Sequence, residues 1–152
     1  MKSFLKLWIF LAFSTALFAE SPFSLESLSS VNVTVLNKHK HLNDAYVKDL
    51  EKEIASKLSA AGIGISTKHF SNFLIKIQET KVQNSSLMHV TLSLVENAHL
   101  KRSTEIDTIA ITYSRDDFFE TKSAEVDVKE SIFFLVDEFI DQYKEENPKP
   151  KK

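Results

Sequence analysis

SVNVTVL, residues 30–36, alternates without a break. Val31, Val33 and Val35 fall on one side of an extended chain, and Asn32 and Thr34 on the other. That is the period of a half-buried β-strand, and the element after it decides the fold. NKHKHLND, residues 37–44, is polar, and Asn43 or Asp44 can cap a helix. Val47, Leu50, Ile54, Leu58 and Ala61 then recur at three- and four-residue steps, so one stripe faces a core. Lys48, Glu51, Lys52 and Lys57 lie off the stripe, and Gly62 is a natural stop. Phe73, Ile75 and Ile77 alternate with Lys76 and Gln78, which gives a second strand. Strand, helix and strand make a crossover unit, expected to be right-handed.

Downstream, KVQNSS (residues 81–86) reads as a turn, and Met88, Val90, Leu92 and Leu94 line one face of a third strand. ENAHLKRS (residues 96–103) reads as a polar connection, and Ile109, Ile111 and Tyr113 mark a fourth strand. DDFFET (residues 116–121) either extends that strand past a bulge or forms a loop. Asp127 and Glu130 have the spacing of a capping box. Val128, Ile132, Leu135, Val136, Phe139, Ile140 and Tyr143 then form a broad apolar stripe on a helix running to Glu146. The order β-α-β-β-β-α predicts an α+β fold. It is a two-layer sandwich, with two helices on one face of a mostly antiparallel four-stranded sheet.

The ends of the chain differ in character from this middle. MKSFLKLWIFLAFSTALFAESPF, residues 1–23, has Lys2 and Lys6, an apolar run from Leu7 to Phe18, and Ala19 before Glu20, with Leu17 where a smaller residue is usual. That is the layout of a secretory signal peptide, with the cut expected after Ala19. The run is shorter than the roughly 20 residues that span a bilayer; a retained signal anchor is the alternative. Residues 20–29 form an N-terminal segment, residues 30–146 a single domain, and residues 147–152 a basic tail that Pro148 and Pro150 keep from continuing the helix.

Composition narrows the function classes. The chain has no cysteine, which removes disulfides, thiolate nucleophiles and cysteine zinc sites. An exported domain of this size without disulfides is expected in the bacterial periplasm, with secretion as the alternative. Removing residues 1–19 takes the formal charge from −2 to about −4, without a concentrated basic patch, so no nucleic-acid partner is expected. Two glycines at a helix end cannot build a phosphate-cradling loop, and neither a nucleophile elbow nor H-E-x-x-H occurs. Asp116 and Asp117 are adjacent, so in a strand they point to opposite faces and make a poor acid–base pair. No nucleophile, base and orienter can be named together, so the chain is not expected to be an enzyme and no cofactor is expected.

Two candidate sites remain. His39 and His41 are spaced so that both imidazoles could reach one zinc, copper or nickel ion. A tight site needs three or four ligands, however, and Lys38 and Lys40 oppose a cation. The bland alternative is a wet connector. The second candidate is aromatic. Phe118 and Phe119 are neighbours in a strand-like segment and cannot both face one core. One ring is then either covered by a loop or exposed as an anchor for a partner, with Tyr113 beside it. The expectation is a non-catalytic binding or accessory protein with an envelope protein as partner and no membrane span after signal removal. A metal- or small-ligand-binding protein using His39 and His41 is the alternative.

LVDEFIDQY, residues 135–143, followed by Asn147, Pro148 and Lys149, resembles the closing helix of small exported proteobacterial proteins. IDTIAITYSRDDFF, residues 106–119, is loosely similar to them as well. The element order of the whole domain resembles the amino-terminal α/β domain of the Tol-Pal propeller protein, and related domains in outer-membrane assembly and secretion accessories. That resemblance implies binding of envelope proteins rather than catalysis. It carries no functional residue across, because it lies in pattern alone, and the missing lipid-anchor cysteine departs from many lipidated relatives.

Overall fold

A computed structural model describes residues 24–40, 42–68, 70–82 and 85–148. The expected leader at residues 1–19 and residues 149–152 of the tail lie outside them, as do His41 and His69. The elements in chain order are β1 (Ser30–Asn37), α1 (Asp44–Ala61), β2 (Gly64–Ile65), β3 (Ser71–Val82), β4 (Ser85–Leu100), β5 (Ser103–Glu120) and α2 (Ala124–Glu146). The sheet order is β2-β1-β3-β4-β5. β1 is parallel to both β2 and β3, and the β3–β4 and β4–β5 pairs are antiparallel. The expected four-stranded, mostly antiparallel sheet is therefore corrected: the α+β fold has a five-stranded mixed sheet.

The extra strand comes from the end of α1. Asn43 starts that helix, its Oδ1 accepting from Tyr46 N–H at 2.9 Å. Gly62 ends it at φ +98°, where a side chain would be strained, and Ile63 N–H returns to the Leu58 carbonyl at 3.0 Å. The chain turns back beside β1 as β2, with Gly64 N–H donating to Ser29 O and Ser66 N–H to Val31 O, each at 2.9 Å. A Cβ at Gly64 would sit 3.2 Å from both Ser29 O and Ser30 Cβ, so a side chain there would press on the neighbouring strand. A two-residue strand is too short to carry an alternation signal.

The hairpins are longer than their composition suggests. β3 and β4 stay paired to Val82 opposite Ser85, and β4 runs to Leu100 opposite Ser103. Residues 96–100, expected as a connection, are strand, because a ladder fixed by apolar neighbours extends through polar residues when one face is wet. Glu96 shows how: it accepts from Ser71 Oγ at 2.9 Å and from Thr112 Oγ1 at 2.5 Å.

One irregularity in β5 reorders its faces. Leu94 pairs with Tyr113 but Val95 pairs with Ile111, which leaves Thr112 as an extra residue. A β-bulge of this kind inverts the alternation. Ile109, Ile111 and Tyr113 were expected on one side; Tyr113 is buried, while Ile109 and Ile111 are exposed on the opposite face.

The core lies between one sheet face and both helices. Phe73, Ile75 and Ile77 of β3 and Met88, Val90, Leu92 and Leu94 of β4 meet Leu50, Ile54 and Leu58 of α1 and Ile132, Val136 and Phe139 of α2. The Phe139 ring stands edge-on to Phe73 and to Tyr113, each at 4.9 Å. Lys57 pairs with Asp137 at 2.6 Å and Lys129 with Glu53 at 2.8 Å across the two helices. Both ammonium groups lie over Phe133. Tyr46 Oη donates to the Glu125 carbonyl at 2.5 Å. Burial first, then Glu125 and Glu53, push its hydroxyl pKa up to about 12.

α2 begins at Ala124, three residues before the expected start at Asp127. Asp127 does not form a box with Glu130. It reaches back, Oδ2 accepting from Thr121 Oγ1 at 2.9 Å, Lys122 N–H at 2.9 Å and Ser123 N–H at 3.0 Å. These donors, the Ser123 N–H foremost, hold its carboxyl below the usual carboxylate range. At the other end, α2 clamps the N-terminal segment. Glu146 Oε2 accepts from Leu25 N–H and from Ser24 Oγ. Asn147 accepts from Ser27 N–H and donates to Leu25 O, both at 2.9 Å. Burial pushes the Glu146 carboxyl up, but donors from Gln142, Leu25 and Ser24 outweigh it and hold the group below its ordinary value.

Candidate functional site

The second face of the sheet is covered by no described element. It is built from the positions that alternate with the core. These are Thr34 and Leu36 on β1, Leu74, Lys76 and Gln78 on β3, and His89, Thr91, Ser93 and Val95 on β4. β5 supplies Ser114, Asp116 and Phe118 beyond the bulge, and Ile109 and Ile111 before it. The three largest apolar side chains on the β5 margin are strongly exposed: Phe118 at 64%, Ile109 at 61% and Ile111 at 59%. Leu36 is exposed on the far side of the same face.

A polar row runs beside them. The Phe118 ring stacks on His89 at 3.8 Å between centroids, with the planes 10° apart. His89 Nε2 lies 3.2 Å from Thr91 Oγ1 and 3.6 Å from Asp116 Oδ2. Ser93 and Ser114 meet at 3.4 Å. Both close partners of His89 share one ring nitrogen. This is a side-chain ladder across paired strands, rather than a hydroxyl–imidazole–carboxylate relay, which uses both ring nitrogens. Chemically, the face offers an aromatic plate, aliphatic knobs and hydroxyls on a rigid sheet. It suits adhesion to another surface.

The expected aromatic trio is divided by the sheet. Tyr113 is in the core, where burial foremost pushes its hydroxyl pKa up, with the nearby Arg115 opposing. Phe119 is half-buried against the core on the helix side, and Phe118 alone reaches the open face. The residues that join Phe118 there are Ile109 and Ile111. They were not among the expected site residues because their spacing from Tyr113 hides the bulge. No phase signal marks it, since Arg115, Asp117 and Phe119 keep the side of Tyr113 and the break falls between Ile111 and Tyr113.

The histidine loop is an ordered connector in its described part. Asn37 organises it: Oδ1 accepts from His39 N–H at 2.8 Å, and Nδ2 donates to His39 O at 3.1 Å and to Leu42 O at 2.8 Å. His39 turns inward, 5% exposed, with Nε2 at 3.3 Å from Glu79 Oε2. His99 lies in β4 beside Asp107 at 2.6 Å. Among the described residues no group of three or more histidine, aspartate or glutamate side chains is placed to hold a metal ion. No helix among them is long and apolar enough to cross a membrane.

Comparison with protein-family models and with curated proteins finds no match. Among solved structures, the chain is similar to a PelC variant from Paraburkholderia phytofirmans, solved as a dodecamer. The identity is 14%, the alignment covers 72% of this chain and 83% of that one, and the TM-score is 0.44. It is also similar to a minor lipoprotein from Acinetobacter baumannii at 11% identity, with 76% and 88% covered and a TM-score of 0.30.

Proposed function

We propose that this chain is a non-catalytic binding or accessory protein of the bacterial cell envelope, exported to the periplasm and working through protein–protein contacts. The observation that supports this most is the uncovered sheet face. Burying Ile109, Ile111 and Phe118 against a partner would remove apolar area from water at about 25 cal/mol per Å2. Large apolar side chains exposed on a sheet face are the kind of groups that proteins bury against one another. The leader-like sequence at residues 1–19 and the absence of cysteine support the compartment.

The test is photocrosslinking in intact cells. A photoreactive residue replaces Ile111 in one variant and Lys48, on the outer side of α1, in another. A discrete adduct with one envelope protein is expected from position 111 and not from position 48. Phe118→Ser, with its probe at position 111, should abolish that adduct while the protein still unfolds cooperatively. Equal labelling from both positions, or an adduct indifferent to Phe118→Ser, would overturn the proposal.

A further inference from the structure

A second surface, away from the open face, lies where β5 meets α2. β5 is the last strand of the sheet. Among the described residues no strand lies beyond it, so the outward N–H and C=O groups of alternate residues have no ladder partner. Next to this edge is a hollow of about 370 Å3. Asp117, Phe119 and Glu120 line it from β5, and Glu130, Ser131 and Phe134 from α2. The helix residues share one side because they are spaced at three and four.

The chemistry of the hollow is one-sided. Asp127 also borders it, but its Oδ2 is engaged by the three donors before α2. Asp117, Glu120 and Glu130 make no ion pair among the described residues, and no lysine or arginine lines the hollow. Phe134 is 56% exposed and Phe119 half-buried, so apolar surface lies beside the carboxylates. Ser131 adds an observation of another kind. It is 6% exposed, and its Oγ is buried without a hydrogen-bond partner. A buried hydroxyl left unpaired is disfavoured, and turning its Oγ toward a donor in the hollow would remove that cost. Carboxylates, aromatic rings and a hydroxyl acceptor together fit a lysine or arginine, its stem on the rings and its head at the acids.

The neighbouring edge says how such a side chain would arrive. A strand added to β5 would lie about 4.8 Å outside it and send alternate side chains toward the helix side. Farther along the same seam, Glu138 and Glu145 continue the negative charge, while Asp141 is paired with Lys144 and Arg115 lies nearby. We infer that the β5 edge and the acidic hollow between β5 and α2 together bind an extended, lysine- or arginine-bearing segment of a partner protein by strand addition. This rests on the proposed role in protein binding but uses a different surface.

The test is fluorescence anisotropy of a labelled peptide of about seven residues, lysine alternating with valine or threonine, titrated with the full chain. Saturable one-to-one binding is expected. The Asp117→Asn/Glu130→Gln pair should weaken it about tenfold or more, as should methylating alternate backbone nitrogens of the peptide. Lys48→Ser, exposed on α1 and part of neither surface, should leave it unchanged. No saturation would overturn the inference. So would equal binding by the methylated peptide or by the carboxamide variant, or competition by spermidine as strong as by unlabelled peptide. If the peptide fails while the adduct from position 111 persists, the inference falls and the proposed function stands.

Discussion

The two faces of the sheet are made by the same strands and differ in what they ask of a side chain. On the helix side, β3 and β4 present seven apolar residues that are almost wholly buried, and Phe139 keys Phe73 and Tyr113 together. On the open side, the same strands carry threonine, serine, histidine and lysine in ladders with Leu74 and Val95 among them, and the most exposed apolar groups lie toward the margins. The first face holds the fold together. The second holds fewer buried apolar groups and leaves its outermost side chains to solvent.

This contrast can be broken most severely at its centre. Phe139→Ala should cost about 4 kcal/mol in urea denaturation, because the ring contacts two others and its cavity cannot close. A loss under about 1 kcal/mol would mean the two layers are not keyed there. Next is the bulge. Deleting Thr112 restores one alternation through β5, so either Tyr113 leaves the core or Ile111 enters it. A cost of about 3 kcal/mol is expected, and an unchanged midpoint would show that the bulge does not set the faces.

A smaller effect sharpens the account of how α2 begins. The Asp127 carboxyl is held below its ordinary value, so its contribution is present above the unfolded carboxylate pKa. It is lost as pH falls through the lower folded value. Asp127→Asn should therefore lower the melting temperature at neutral pH and converge on the parent between about pH 5 and pH 2. A gap that persists in acid would assign the effect to packing instead. Smallest is Ile111→Ser, which should change stability by no more than about 0.5 kcal/mol by the same urea measurement.

Much of the helix side was legible in the sequence, because burial writes a period that can be counted. α1 has the predicted caps at Asn43 and Gly62, and the alternations at Phe73 and Met88 lead to buried faces. Three features were not legible, each for a physical reason. β2 is two residues long and is held by backbone alone. The end of β4, residues 96–100, is mostly polar, so its composition resembles a loop although the ladder continues. The Thr112 bulge is a single inserted residue that periodicity cannot see. The open face inherited the last of these errors, and so Ile109 and Ile111 were placed with Tyr113 instead of with Phe118.

The clamp between Glu146, Asn147 and residues 24–27 also bears on how the chain acquires its structure over time. It joins groups separated by more than a hundred positions, and such closure is slow compared with hairpin formation. β3, β4 and β5 can zip together from neighbouring segments, whereas β1 waits for the crossover and residues 24–27 wait for the last turn of α2. An emerging chain therefore cannot lock its first described residues until its final helix has been delivered. Until then its leading end stays unfastened.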